Sequence, residues 1–165
     1  MFEYILVQKK APETCFYNIG KINQELKKYD NAIKNYNNAV NIKKDFIEAH
    51  NEIGFCLLEK ENYKESLLKF KRIIKLYPSS KIAYYNVGAL FLRRGEISKA
   101  INYFNKAIDL DQSFIDANFA KGSCLLLKGN YEEGWKFYKW RSEGKFLSEK
   151  YNENFYTERL VDLKN

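Results

Sequence analysis

The chain has 165 residues, of which 45% are apolar, and it carries a formal net charge of +7. This length and apolar share suit a single domain with a buried core, and the sequence has no run of eighteen apolar residues to cross a membrane. With two prolines and eight glycines, most of the chain is free to be helical. The positive charge comes mainly from scattered lysines, which is typical of a solvated surface and not of a specific nucleic-acid site.

The cysteines bear on the cellular compartment. Cys15, Cys56 and Cys124 are an odd number, and their spacing fits neither a zinc site nor a C-x-x-C motif. They favour a reducing compartment. The first ten residues also lack the cationic segment and apolar run of a signal peptide. We therefore expect a cytoplasmic protein without a metal or another cofactor.

A period of 34 residues organises the sequence. Gly20, Gly54, Gly88 and Gly122 are 34 residues apart. Four further positions keep this register, namely those nine, twelve, sixteen and nineteen residues after each glycine. They hold Tyr29, Tyr63, Ile97 and Tyr131; the small residues Ala32, Ser66, Ala100 and Gly134; the aromatic residues Tyr36, Phe70, Phe104 and Tyr138; and Ala39, Ile73, Ala107 and Arg141. Such self-similarity is the signature of a repeat architecture.

In chain order, the period predicts one domain over 1–165. Its parts are an amino-terminal cap over 1–11, repeats over 12–45, 46–79, 80–113 and 114–141, and a carboxy-terminal capping helix or tail over 142–165. Each repeat is expected to be two helices, with turns near Lys27, Glu61, Gly95 and Gly129. We expect each register glycine to face the small residue of the second helix, so that the two backbones approach closely.

The repeats resemble the tetratricopeptide family, whose period is also 34. The segments "FYNIGKINQELKKYDNAIKNYNNAV" and "YYNVGALFLRRGEISKAINYFNKAIDL" carry the resemblance, which covers roughly residues 12 to 141. It implies an all-α fold: a right-handed superhelical stack of about four antiparallel helical hairpins with capping helices at both ends.

The same resemblance implies that the first helices line a concave groove. We expect this groove to bind another protein or a peptide, so that the chain acts as a scaffold or adaptor. Amides would pair with an extended backbone, and rings would supply rigid apolar area. Self-association of the chain stays open. The predicted groove residues are Tyr17, Asn18, Lys21, Asn51, Glu52, Phe55, Tyr85, Asn86, Phe119 and Ser123.

Two comparisons within the family bear on the choice of partner and of function. Repeats that bind acidic chaperone tails use a clamp of lysines, asparagines and arginine, but the matching positions here include Tyr17 and Glu52, so that clamp is absent. The segment "GNYEEGWKFYKWR" resembles the last repeat of bacterial proteins in which the repeats precede a glycosyltransferase. An alternative function is therefore the substrate-recruiting part, or a fragment, of a glycosyltransferase system.

Residue types that could be catalytic occur without the groups they need. His50, the one histidine, takes a position filled elsewhere by Phe16 and Tyr84, and no nucleophile stands beside it. Adjacent carboxylates such as Glu132 and Glu133 fall at a turn, whereas glycoside hydrolysis needs two carboxyl groups that converge on the substrate. We therefore expect a protein that is not an enzyme.

Overall fold

The computed structural model describes residues 11–142, which fold into eight α-helices and a closing 3-10 turn. The predicted all-α class and its consecutive helical hairpins are confirmed, with two helices in each predicted repeat. The amino-terminal cap predicted over 1–11 and the capping helix or tail predicted over 142–165 lie outside the described residues, except for residues 11 and 142 themselves. The helices are α1 Pro12–Glu25, α2 Tyr29–Ile42, α3 Ile47–Glu59, α4 Tyr63–Leu76, α5 Lys81–Arg93, α6 Ile97–Leu110, α7 Ile115–Leu127 and α8 Tyr131–Tyr138, and the 3-10 turn is Lys139–Ser142.

Packing divides the chain into two compact units, one ending at Asn86 and the other beginning at Val87. The division falls within α5, so it does not coincide with a repeat boundary. In the first unit, α2 packs against both α1 and α3, and α3 also packs against α4. In the second unit, α7 packs against both α6 and α8. These contacts explain why a hairpin of this kind needs neighbours, since an inner helix buries apolar surface on two sides.

The core of the first unit follows from helical spacing. Ala32, Tyr36 and Ala39 are four and three residues apart, so they share one face of α2, and all three are fully buried. They cluster with Ala49, Ile53, Cys56 and Leu57 of α3. The small side chains let the helices approach, and the tyrosine fills the space between them.

The register glycines allow a close contact, although it differs from the predicted one. A Cβ atom on Gly54 would lie 2.5 Å from Cε1 of the Phe70 ring, so the aromatic residue occupies the place expected for the small residue. The small residue, Ser66, instead donates its hydroxyl hydrogen to the carbonyl oxygen of Gly54 at 2.8 Å. Equivalent ring contacts join Gly20 to Tyr36 and Gly88 to Phe104.

The fourth hairpin packs more tightly against its glycine. A Cβ atom on Gly122 would meet the backbone nitrogen of Tyr138 at 2.6 Å, not a ring. Its second helix has Gly134 at the small position, where a Cβ atom would lie 2.7 Å from Cδ2 of Leu126. At Gly122, the backbone of Phe137 and Tyr138 therefore takes the place that an aromatic ring occupies at the other three register glycines.

Every hairpin turn contains one left-handed residue, and these residues are 34 positions apart. Their φ angles are 56° at Lys27, 59° at Glu61, 76° at Gly95 and 80° at Gly129. In each turn the following amide donates to the carbonyl five residues earlier, as Asn62 does to Leu57 at 2.9 Å. This pairing satisfies carbonyl groups that a helix end leaves open. The turns therefore lie where the sequence predicted them.

Candidate partner-binding face

The ten predicted groove residues fall in both units. Phe119 and Ser123 lie on α7 of the second unit, and the other eight lie in the first unit. Asn18 and Lys21 are exposed, Asn51 is buried, and the remaining five of the eight are half-buried. We call these eight the first-unit face: Tyr17, Asn18, Lys21, Asn51, Glu52, Phe55, Tyr85 and Asn86.

Tyr17 lies in an aromatic cluster at one side of the first-unit face. Its ring centroid is 5.0 Å from that of Phe46 and 5.6 Å from that of Tyr36. Burial, together with the negative charges of Glu52 and Glu48, raises the pKa of Tyr17 to about 12. The tyrosine is therefore a neutral, rigid ring at physiological pH, and two carboxylates act on it electrostatically.

Glu52 is held by a hydrogen-bond network that the sequence analysis missed. Its Oε2 atom accepts from Nε2 of Gln24 at 2.8 Å, and Oε1 of Gln24 accepts from the Tyr36 hydroxyl at 2.6 Å. The Cys56 thiol is 3.6 Å from the same glutamine oxygen. Gln24 is thereby fixed on both sides, and it orients the carboxylate.

One signal in the sequence could have revealed this network. The positions 34, 68 and 102 residues after Gln24 hold Leu58, Leu92 and Leu126. A polar residue in a column of leucines must find hydrogen-bond partners when its neighbours are buried. The partners of Gln24 are Tyr36 and Glu52. Glutamine in place of the leucine of the other repeats therefore marks where the first unit carries a polar network.

Two amides of the first-unit face meet across successive first helices. Nδ2 of Asn86 donates to Oδ1 of Asn51 at 3.3 Å, and Nδ2 of Asn51 donates to the carbonyl oxygen of Ile47 at 3.2 Å. Residues 51 and 86 are almost one repeat apart, so the contact places their parts of α3 and α5 side by side. Oδ1 of Asn86 and both polar atoms of the exposed Asn18 have no partner among residues 11–142.

The two predicted residues of the second unit are buried. Phe119 is 6% exposed, and its ring centroid is 5.0 Å from that of Tyr138. Ser123 is also 6% exposed and donates to the carbonyl oxygen of Phe119 at 3.1 Å. The backbone of Tyr138 contacts Gly122, whereas its ring packs against Phe119. With so little accessible surface, Phe119 and Ser123 do not enter the binding proposal.

Known families agree with this architecture. A family model described as TPR repeat matches residues 20–60, and two models described as tetratricopeptide repeat match residues 52–80 and 82–114. The chain is a tetratricopeptide-repeat protein. Domains of this family are generally protein-interaction modules.

Two relatives of this tetratricopeptide-repeat protein are much larger proteins. It is 38% identical over 71 residues to a TPR repeat-containing protein of Methanocaldococcus jannaschii, covering 43% of this chain and 22% of that one. It is 34% identical over 98 residues to a UDP-N-acetylglucosamine–peptide N-acetylglucosaminyltransferase of Giardia intestinalis, covering 57% of this chain and 6% of that one. The chain thus spans less than a quarter of the length of either relative.

The crystal structure of MamA shares the fold. It superposes with a TM-score of 0.67 and 23% identity, covering 91% of this chain and 88% of that one.

His50 is half-buried, and its Nε2 atom donates to the carbonyl oxygen of Lys44 at 2.9 Å. Within residues 11–142 no three histidine, cysteine or acidic side chains converge to hold a metal ion. No helix within the same range is long and apolar enough to cross a membrane.

Proposed function

We propose that this chain is a non-catalytic scaffold or adaptor of the cytoplasm, and that its first-unit face binds an extended segment of a partner protein. One observation carries the proposal: the contact between Asn51 and Asn86 brings the faces of two successive first helices, α3 and α5, together. The hydrogen bond from Gln24 on α1 to Glu52 on α3 connects the remaining first helix of the unit to them. The odd number of cysteines supports a reducing compartment.

The chemistry of the first-unit face suits a peptide. Oδ1 of Asn86 and the amide of Asn18 are open to pair with the backbone of an extended segment, which presents polar groups at every residue. Tyr85 and Phe55 are half-buried, so they offer anchored rings that lose little entropy when a ligand covers them. Binding would therefore use main-chain contacts for affinity and the rings for selection of apolar side chains.

Truncation of one ring tests the proposal. Central anchors dominate the binding energy of interfaces, so Tyr85→Ala should weaken partner binding by about 2 kcal/mol or more. The partner would be obtained by affinity capture and mass spectrometry, and its affinity measured by calorimetry. Lys71→Ala is the matched control, because Lys71 is exposed on α4 and is not part of the face. If Lys71→Ala weakens binding and Tyr85→Ala does not, the partner binds elsewhere.

A second function is favoured by one comparison. The match to the Giardia transferase supports a role in recruiting substrates to a glycosyltransferase, as does the "GNYEEGWKFYKWR" segment. Under this alternative, adding the chain to a transferase encoded nearby would raise the rate on a protein acceptor. An unchanged rate, together with binding to unrelated proteins, would favour the general scaffold.

A further inference from the structure

The carboxylate of Glu52 is fixed in place, and one of its oxygens has no partner in the described part of the chain. Oε2 is bound by Gln24, which is itself held by the Tyr36 hydroxyl. Oε1 has no hydrogen-bond partner among residues 11–142. The side chain is half-buried and lies on the first-unit face. The fold therefore presents an oriented acceptor where a partner segment would lie.

This carboxylate also has no counter-charge among residues 11–142. Within the described part of the chain no lysine, arginine or histidine is within ion-pair distance of Glu52. Glu48 lies one turn earlier on α3, and like charges four residues apart on a helix repel each other. A half-buried, unpaired charge costs stability, and a second negative charge adds to that cost. An incoming cation would relieve both effects.

We propose that Glu52 receives a lysine or arginine side chain of a partner segment bound along the first-unit face. This inference rests on the function proposed above and specifies its ligand. The charged group would pair with Oε1 of Glu52, and the aliphatic stem that carries it would pack against the Tyr17 ring. The face of the ring also attracts the positive charge. The positions one repeat before and after Glu52 hold Asn18 and Asn86, so the backbone on either side of the basic residue would meet amides.

The net charge of +7 does not oppose this pairing. At physiological ionic strength the screening length is about 8 Å, so a bound cation responds mainly to the nearest groups. The nearest charges on α3 are Glu48 and Glu52, and both already act on Tyr17. Lys21 also lies on the first-unit face, but it is not within ion-pair distance of Glu52. The two carboxylates therefore act on the bound cation more strongly than Lys21 and the lysines elsewhere on the described chain.

Selection from a random dodecapeptide library displayed on phage would test the inference with the full chain as target. We expect the recovered peptides to share a lysine or arginine at one position. For a synthetic peptide of the recovered sequence, fluorescence polarisation should show binding about tenfold weaker to Glu52→Gln, the loss expected for one partly buried ion pair. Glu52→Gln retains an oxygen for Gln24 and removes an unpaired charge, so its melting temperature should be equal to or above that of the unsubstituted chain.

Two controls isolate the ion pair. Glu61→Gln removes the same charge from an exposed turn of the first unit and should leave the affinity unchanged. Changing the basic residue of the peptide to glutamine should cost about tenfold against the unsubstituted chain and nothing further against Glu52→Gln.

The outcomes separate the two proposals. Peptides without a shared basic residue, or with equal affinity for Glu52→Gln, would overturn this inference but leave the peptide-binding face in place if Tyr85→Ala weakens them. Failure to recover any peptide, or recovery of peptides indifferent to Tyr85→Ala, would overturn both.

Discussion

Replacing Gly88 by leucine would test the contact that closes the third hairpin. The first added atom, Cβ, would lie 2.5 Å from Cε1 and 2.7 Å from Cδ1 of Phe104. Carbon atoms in contact are normally about 3.5–4.0 Å apart, so the ring must move by roughly 1 Å. Phe104 is fully buried and has no solvent to move into. The hairpin must therefore open slightly or strain the ring.

The cost follows from two opposing terms. Overpacking a buried site costs about 1–3 kcal/mol, and the remaining leucine atoms place this site near the upper end of that range. Replacing a glycine inside a helix recovers about 0.8–1 kcal/mol of helix propensity. We therefore expect a net loss of about 2 kcal/mol in the free energy of unfolding, or roughly 4–8 °C in the melting temperature.

Thermal and urea unfolding, followed by circular dichroism, would measure this loss. The control is the same substitution in a Phe104→Ala background, where the ring is absent and the leucine should be neutral or stabilising. If Gly88→Leu destabilises both backgrounds equally, the ring contact is not the cause. If it leaves the unsubstituted chain unchanged, the 34-residue register has been assigned wrongly.

Two further predictions concern titratable groups. Burial raises the pKa of Cys56 and Cys124 to about 12, and the negative charges of Glu52 and Glu59 add to the effect on Cys56. At pH 8 a thiol reagent should therefore label Cys15 first, and all three cysteines only after denaturation. Equal labelling rates of the three cysteines in the native chain would contradict this burial. A hydrogen bond from Lys99 and the charges of Arg94 and Lys99 lower the pKa of Glu96 in the folded chain. The contribution of Glu96 to stability is therefore present above its unfolded pKa of about 4.3, and it is lost as the pH falls through its lower pKa in the folded chain. Urea midpoints at pH 7 and pH 3 should therefore differ less in Glu96→Gln than in the unsubstituted chain.

The repeat architecture was predictable because its signals are local and recur. Each register glycine reports a tight helix contact, and each turn follows at a fixed distance, so four copies reinforce one assignment. The identity of the atoms in the contact was not predictable in the same way. Ser66 contacts the carbonyl oxygen of Gly54, and the Phe70 ring lies where a Cβ atom of Gly54 would be. Which atom each side chain contacts depends on how far it reaches across the hairpin, whereas the sequence specifies only the spacing.

The positions of the candidate face were predictable, because first-helix positions follow from the register. The burial of Phe119 was not, since it depends on contact with the Tyr138 ring, and the backbone of Tyr138 lies against Gly122. The network around Glu52 depends on Gln24, which lies on a different helix and 28 residues away. Pairwise contacts of this kind emerge only when the hairpins are assembled.

The left-handed turn residues have a consequence for how the chain can change over evolution. Lys27 and Glu61 adopt the same backbone conformation as Gly95 and Gly129, although the conformation costs a residue with a side chain roughly 1–2 kcal/mol. The docking of the helices therefore imposes the turn, and the residue identity at that point is secondary. We therefore expect that positions 27 and 61 can change between a charged residue and glycine while the hairpin keeps its conformation. Evolution can then choose at each turn between a surface charge and a backbone without strain.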